Sequence, residues 1–268
     1  MNLTRKFSAL LFLSLAATVS QSQPAIKPDT QKQEQPGLPK GMVSVEPAAI
    51  ELIRNMSKTL ASAKSLEFDS VVQAEFPSID GIAVMYLTGA HIAMQRPNKF
   101  DVKVTGNGPD HEILYNGKQL FAFVPEKNTV AIIDSPDTID ATAAFAYEKA
   151  GMFFPGDDLI LSDPFEHITR GITDAFVVGK TNLVGEVETN IVVMAGNDMQ
   201  GQIWIGAKDN LPYMASWVYM GDKSRPRTTL TYKNWKLNTQ ISENSFDTSR
   251  FSKARVTEFS HPSAPAAK

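Results

Sequence analysis

The sequence predicts an α+β fold: an antiparallel β-sheet whose second face is covered rather than left to water. Three observations carry that expectation. From Leu66 to Asp134 the chain reads as successive strands joined by short turns. Several of these strands are apolar on both sides, and two segments with helical spacing, after Pro47 and after Thr138, are available as cover. In Ile82–Met94, Ile82, Val84, Tyr86, Ile92 and Met94 alternate with Ala83, Met85, Leu87 and Ala93, and side chains on a strand point alternately to its two faces. Leu120–Val124 and Val130–Ile133 behave alike. A sheet with one wet face alternates apolar with polar, so here helices, a bound apolar ligand or both must lie on the second face.

The 268 residues carry a formal net charge of −3 and no cysteine. A folded unit of this size buries roughly 70–75% of its unfolded surface and needs neither disulfide nor metal. Without cysteine there is no disulfide scaffold, Cys-based zinc site or Cys nucleophile. The mild acidity, with no basic run interleaved with aromatics, argues against nucleic acid as a partner.

Residues 1–22 read as a signal peptide, with Arg5 and Lys6 ahead of an apolar stretch, Phe7 to Val19, and small residues at Thr18, Ser20 and Ser22. A membrane anchor is the other reading, but the apolar run is short for about 30 Å of hydrocarbon. Removal of the peptide leaves 24 basic against 29 acidic residues, with no further stretch long enough to span a membrane. The expected compartment is the periplasm. Residues 23–43, rich in Pro, Gln and Lys, read as a flexible leader, and residues 260–268 as a disordered tail.

Pro47 sits where a helix start tolerates its missing N–H, and Ala49, Ile53, Met56, Leu60 and Ala63 recur at spacings of three and four. This is a helix with one apolar stripe, read as packed on the sheet, with a mobile lid as the other possibility. Strands follow at Leu66–Phe76, Ile82–Met94 and Phe100–Val104, the last with a wet face made by Asp101, Lys103 and Thr105. Asn116-Gly117 between two apolar runs marks a hairpin, because both residues tolerate φ > 0. Thr138–Gly151 is an Ala-rich helix, and Met152–Phe153–Phe154–Pro155 after it is unusually apolar for a connection. It either packs over the sheet or lines a cavity.

The densest ionisable group, Asp157 to His167, fits helix N-caps at Asp157, Asp158 and Asp163, or acid/base chemistry by Asp163, Glu166 and His167. Five strands then run from Ala175 to Leu237, with Trp204, Trp217 and Trp235 one per strand on the last three. Their rings read as cross-strand packing or as an aromatic wall for a ligand. Phe246 and Phe251 are expected to pin the C-terminus. GxGxxG, Walker and GxSxG motifs are absent, the four histidines stand singly, and no catalytic residue, metal site or cofactor is assigned.

Four segments, PAAIELIRNMSKTLASAKSLEF from Pro47, RPNKFDVKVTG with YNGKQLFAF, DLILSDPFEHITRGIT, and QIWIGAKDNLP with TLTYKNWKLN, resemble the predicted periplasmic proteins grouped as domain of unknown function 2092. That family looks like a relative of the lipoprotein carriers LolA and LolB. The resemblance implies a single LolA-like domain over residues 44–259, a strongly curved antiparallel half-barrel with helices covering the concave face. Where relatives often carry a Cys and a His, this chain reads Val187-Glu188-Thr189-Asn190-Ile191, so no role resting on those residues carries over. The expected function is a non-enzymatic carrier or sensor of a lipid, acyl chain or lipoprotein. The other reading is an envelope protein–protein interaction module whose cup is filled by its own helices. Candidate lining residues are Val84, Tyr86, Phe121, Phe123, Phe145, Phe153, Phe154 and Trp204.

Overall fold

The computed structural model describes residues 44–196 and 198–259. The segments read as a signal peptide, a leader and a tail lie outside the described residues. In chain order the elements are α1 (Pro47–Ser62), β1 (Ser65–Pro77), β2 (Ala83–Gln95), β3 (Lys99–Gly106), β4 (His111–Tyr115), β5 (Gln119–Val124) and β6 (Thr129–Asp134). Then come α2 (Ile139–Ala150), α3 (Pro164–Thr169), β7 (Ile172–Thr181), β8 (Thr189–Gly196), β9 (Met199–Gly206), β10 (Pro212–Tyr219), β11 (Arg227–Leu237) and β12 (Arg255–Thr257).

Among the described residues the twelve strands form one open sheet in the order β12-β6-β5-β4-β3-β2-β1-β11-β10-β9-β8-β7. Two meanders, β1–β6 and β7–β11, meet where β1 pairs with β11. Every pairing is antiparallel except β12 on β6, which is parallel. That three-residue strand was not foreseen. It pairs along an edge that would otherwise present free N–H and C=O groups. At the opposite edge, Ala175 of β7 exchanges backbone bonds with Ser44 and Glu46, and the Glu46 carboxylate accepts from the Val177 N–H.

The stripe expected on α1 is the buried one: Ala49, Ile53, Met56 and Leu60 are fully buried, and the helix lies against α3, β7 and β8. Each large side chain so buried contributes roughly 1.5–3 kcal/mol relative to exposure. Thr138 caps α2 by accepting from the Ala141 N–H, and Gly151 ends it in the left-handed conformation. Residues of α1, of α2 and of Met152–Leu161 share one buried cluster with Leu66, Phe68, Ile92, Met94, Phe100, Ile113, Tyr115 and Leu120 from the first meander. The same cluster takes in Val192, Ile203, Ile205, Ala215 and Leu230 from the second.

The opposite face of β3–β6 is also covered, and here a sequence expectation is corrected. The residues after β11 fold back, setting Phe251 against Phe121 and Phe123, and Ile241 and Phe246 beside Ala93. Asp101, read as part of a wet face, is only 2% exposed beneath this segment. The cover on that second face is therefore the C-terminal strap.

Arg96 ties the helical layer to the sheet. Its guanidinium donates to the carbonyl oxygens of Ala63 (3.2 Å), Ile160 (2.7 Å) and Leu161 (3.1 Å). Arg96→Met keeps much of the length but removes the donors. Hydrogen bonds to charged groups each contribute about 1.5–3 kcal/mol, so a loss of that order is expected in the urea unfolding free energy. An unchanged midpoint would show that the three carbonyls find other donors.

Candidate functional site

Strand alternation fixes which side each candidate residue faces. Along the β1–β2 pairing, Leu66↔Met94, Phe68↔Ile92, Ser70↔Ala90, Val72↔Thr88, Ala74↔Tyr86 and Phe76↔Val84 form one continuous row. The row begins among the side chains packed with the helices, where Leu66 and Met94 are essentially buried. It ends in the open, where Phe76 is 40% and Val84 38% exposed and the Phe76 and Tyr86 rings meet edge to face at 5.8 Å. The apolar face thus runs on past its cover.

The eight residues proposed as one lining are not brought together. Val84 and Tyr86 lie at the open end of that row. Phe154 packs edge-on against Phe100 at the other end, beside Met94. The rise of β2 between Val84 and Met94 is about 33 Å. Phe121 and Phe123 face the other way, into the cluster made with Leu114, Val130 and Phe251. Phe145 is half-buried on α2, and Phe153 stands 42% exposed just beyond it. Trp204 pairs with Ile191 and Met214, on the face opposite Ile203 and Ile205. The three tryptophans form no common wall: Trp235 stacks on Phe68 at 4.2 Å, and Trp217 packs into the main cluster without Trp204.

Of the three aspartates expected as caps, Asp157 and Asp158 lie inside a short turn, Asp157–Leu159, that begins after Gly156 without a side-chain cap. Asp163 caps α3 by accepting from the Glu166 N–H at 3.0 Å, as its position predicts. Glu166 pairs with Arg170 at 3.3 Å, and His167 stands 3.7 Å from Asp158. Asp163 thus bonds the Glu166 backbone, while the Glu166 and His167 side chains turn to Arg170 and Asp158 respectively. Burial, and then the neighbouring Asp158, push the Asp157 carboxyl up to about 7. Gly156, just before it, has φ +79° and sits so close that a β-carbon would come within 2.8 Å of the Tyr232 hydroxyl. That hydroxyl is buried and has no hydrogen-bond partner among the described residues.

Two further charged groups went unnoticed in the sequence. On the strap side, Arg250 ion-pairs with Glu112 and stands 3.5 Å from Asp101. Burial, and then Glu112 beside it, raise the Asp101 carboxyl to about 7. Near the β1–β11 seam, an open depression of about 320 Å³ is lined by Glu67, Asp69, His91, Asn234 and Lys236. Burial alone would raise the Asp69 carboxyl, but bonds from His91 (2.8 Å) and Asn234 (2.6 Å) outweigh it and hold the group below its ordinary value. Among the described residues, no group of three or more His, Cys, Asp or Glu is placed to hold a metal ion.

One exposed surface suited to an apolar ligand is the open end of the β1–β2 row. Its signals in the sequence were the strands apolar on both sides and a turn, Pro77–Gly81, that carries Ile79 among polar residues.

No curated protein matches this chain. Among solved structures, an uncharacterised conserved protein from Thermus thermophilus is 14% identical, with 79% of this chain and 99% of that one covered at a TM-score of 0.44. A LolA superfamily protein from Nitrosomonas europaea is 12% identical over 75% of this chain and 98% of that one, with a TM-score of 0.34. MucB in the MucA/MucB complex of Pseudomonas aeruginosa is 8% identical over 76% and 62%, with a TM-score of 0.43. Among the described residues no helix is long and apolar enough to cross a membrane. The model of the family described as predicted periplasmic protein, domain of unknown function 2092, matches residues 49–260, and the chain belongs to that family.

Proposed function

We propose that this periplasmic-family protein is a non-enzymatic carrier or sensor that takes a lipid, an acyl chain or the acyl group of a lipoprotein. In this reading residues 1–22 are removed on export and residues 44–259 fold as one unit. Its sheet curves as a half-barrel with helices on the concave side. The acyl chain lies along the helix-side row where the cover ends, against Phe76, Val84 and Tyr86. The observation that carries the proposal is the continuity of that row from buried Leu66 and Met94 to half-exposed Phe76 and Val84. Each methylene moved from water onto such a surface contributes about 0.8 kcal/mol, so a modest contact length offsets the cost of ordering the chain.

The test is organic extraction of the mature protein, produced in a bacterial envelope, followed by mass spectrometry. A stoichiometric lipid is expected, reduced in Val84→Asp, because a carboxylate on the row opposes burial of hydrocarbon. A clean extract after incubation with envelope lipids would overturn the carrier reading. It would favour a protein-binding module in which α1 and α2 fill the space themselves, a possibility to which the full burial of Ile53, Met56 and Leu60 lends weight.

A further inference from the structure

The end of the β1–β2 hairpin is a two-stranded ribbon that the rest of the sheet leaves behind. β11 stops pairing with β1 at Ala74, and β3 stops pairing with β2 at Thr88. Glu75, Phe76 and Pro77 nevertheless continue opposite Met85, Val84 and Ala83. Exposed apolar side chains occupy both faces and the apex: Phe76 and Val84 on the helix side, Met85 (57%) and Leu87 (48%) on the other, Ile79 and Ile82 at the turn. A groove for an acyl chain requires one apolar face. A projecting element that is apolar on two faces and at its tip is shaped to enter a partner, and contiguous exposed apolar surface marks such contacts.

Charge selects the kind of partner. Between Lys64 and Arg96 there is no lysine or arginine, while the ribbon carries Glu75 and, at its apex between Ile79 and Ile82, Asp80. Entry into a bilayer would lead with the Asp80 carboxylate and take unpaired strand edges into hydrocarbon. An anionic leaflet would repel both acids. A second copy docked ribbon to ribbon would set like charges together. A protein groove meets none of these objections if cations meet the acids. We infer that the β1–β2 ribbon docks into an apolar groove of another protein, with a lysine or arginine placed to receive Asp80. The inference does not rest on the acyl-binding reading: the two share Phe76 and Val84, while Met85, Leu87, Ile79 and Ile82 belong to the ribbon alone.

The test places a photo-reactive benzoylphenylalanine at position 85 of the full chain in the cells that make it, followed by irradiation and sequencing of the labelled peptide. The expected result is a discrete protein adduct whose labelled segment is apolar and contains lysine or arginine. Its yield should fall in Asp80→Asn, vanish in Asp80→Lys and fall in Ile79→Ser/Ile82→Ser. All these positions are exposed, so the variants should keep the parent's urea midpoint, and Leu87→Ser replaces Ile79→Ser/Ile82→Ser if that variant does not. Adducts only of lipid or of a second copy of this chain would overturn the inference. So would the absence of an adduct, or a yield indifferent to Asp80→Lys. Flotation of the protein with phosphatidylethanolamine–phosphatidylglycerol vesicles, lost in Ile79→Ser/Ile82→Ser, would assign the ribbon to the bilayer instead.

Discussion

Arg250→Ala is expected to destabilise the protein by about 3 kcal/mol, because removing one partner of a buried ion pair leaves an uncompensated charge. Arg250 donates to the backbone oxygens of Asn244 (3.1 Å), Ser245 (3.1 Å) and Asp247 (2.6 Å) as well as to Glu112. It therefore fastens the strap to the sheet over Asp101. The loss should depend on pH. The Asp101 carboxyl is raised from 3.8 to about 7 in the folded chain, chiefly by burial and then by Glu112, so the fold binds its proton more tightly than the unfolded chain does. Its contribution is then fully present below the unfolded value and erodes as pH rises toward the folded one. Without Arg250 the ionised form keeps Lys103 at 3.3 Å but loses its other counter-charge, at 3.5 Å, and the erosion steepens. Urea unfolding at about pH 5 and about pH 8 should show the greater loss at the higher value, and Asp101→Asn should flatten the dependence of the parent chain. An equal loss at both would mean that Arg250 acts through its carbonyl contacts alone.

Phe68→Ala is the second large effect, expected at about 3–5 kcal/mol for a buried aromatic truncated in a packed interior. Phe68 is 3% exposed, stacked on Trp235 at 4.2 Å and tilted against Tyr232 at 6.0 Å. It stands where the β1–β11 register slips between Glu67 and Asp69. The cavity would therefore open at the seam between the two meanders, next to an indole that also donates to the Pro212 carbonyl. The urea midpoint reads the loss, and tryptophan emission reports the exposure of Trp235. Phe68→Leu, which keeps most of the apolar volume, should lose less than half as much. Equal losses for the two would point to ring stacking rather than volume.

What could be read in advance was whatever depends on neighbours in sequence. The α1 stripe, the Asp163 cap and the Asn116-Gly117 hairpin are short-range patterns, and the structure has each of them. The face a strand presents is a different matter. Leu120 and Phe121 are equally apolar neighbours, so alternation alone could not say that Leu120 joins the helix side and Phe121 the strap side. Asp101 illustrates the same limit: its polar alternation with Phe100 and Val102 signals water until a segment about 150 residues later folds over it. The site suffered most, because Val84 and Phe154 are both apolar and near the same strand yet occupy its opposite ends.

The strand order also governs how the molecule must come together. β1 pairs with β11, and α1, at the start of the chain, rests on β7 and β8. Each half thus holds a piece the other needs, and neither meander can bury its helix-side face alone. These pairings have large sequence separation, and their loop-closure entropy must be met before they stabilise anything, which slows folding. A chain delivered N-terminus first would carry an unsheltered β1 edge and an unseated α1 until residue 237 followed. During that interval the most aggregation-prone part of the protein, its apolar hairpin included, is the part made earliest. Split between β6 and α2, the two fragments should each be poorly soluble alone and recover the fold only when produced together.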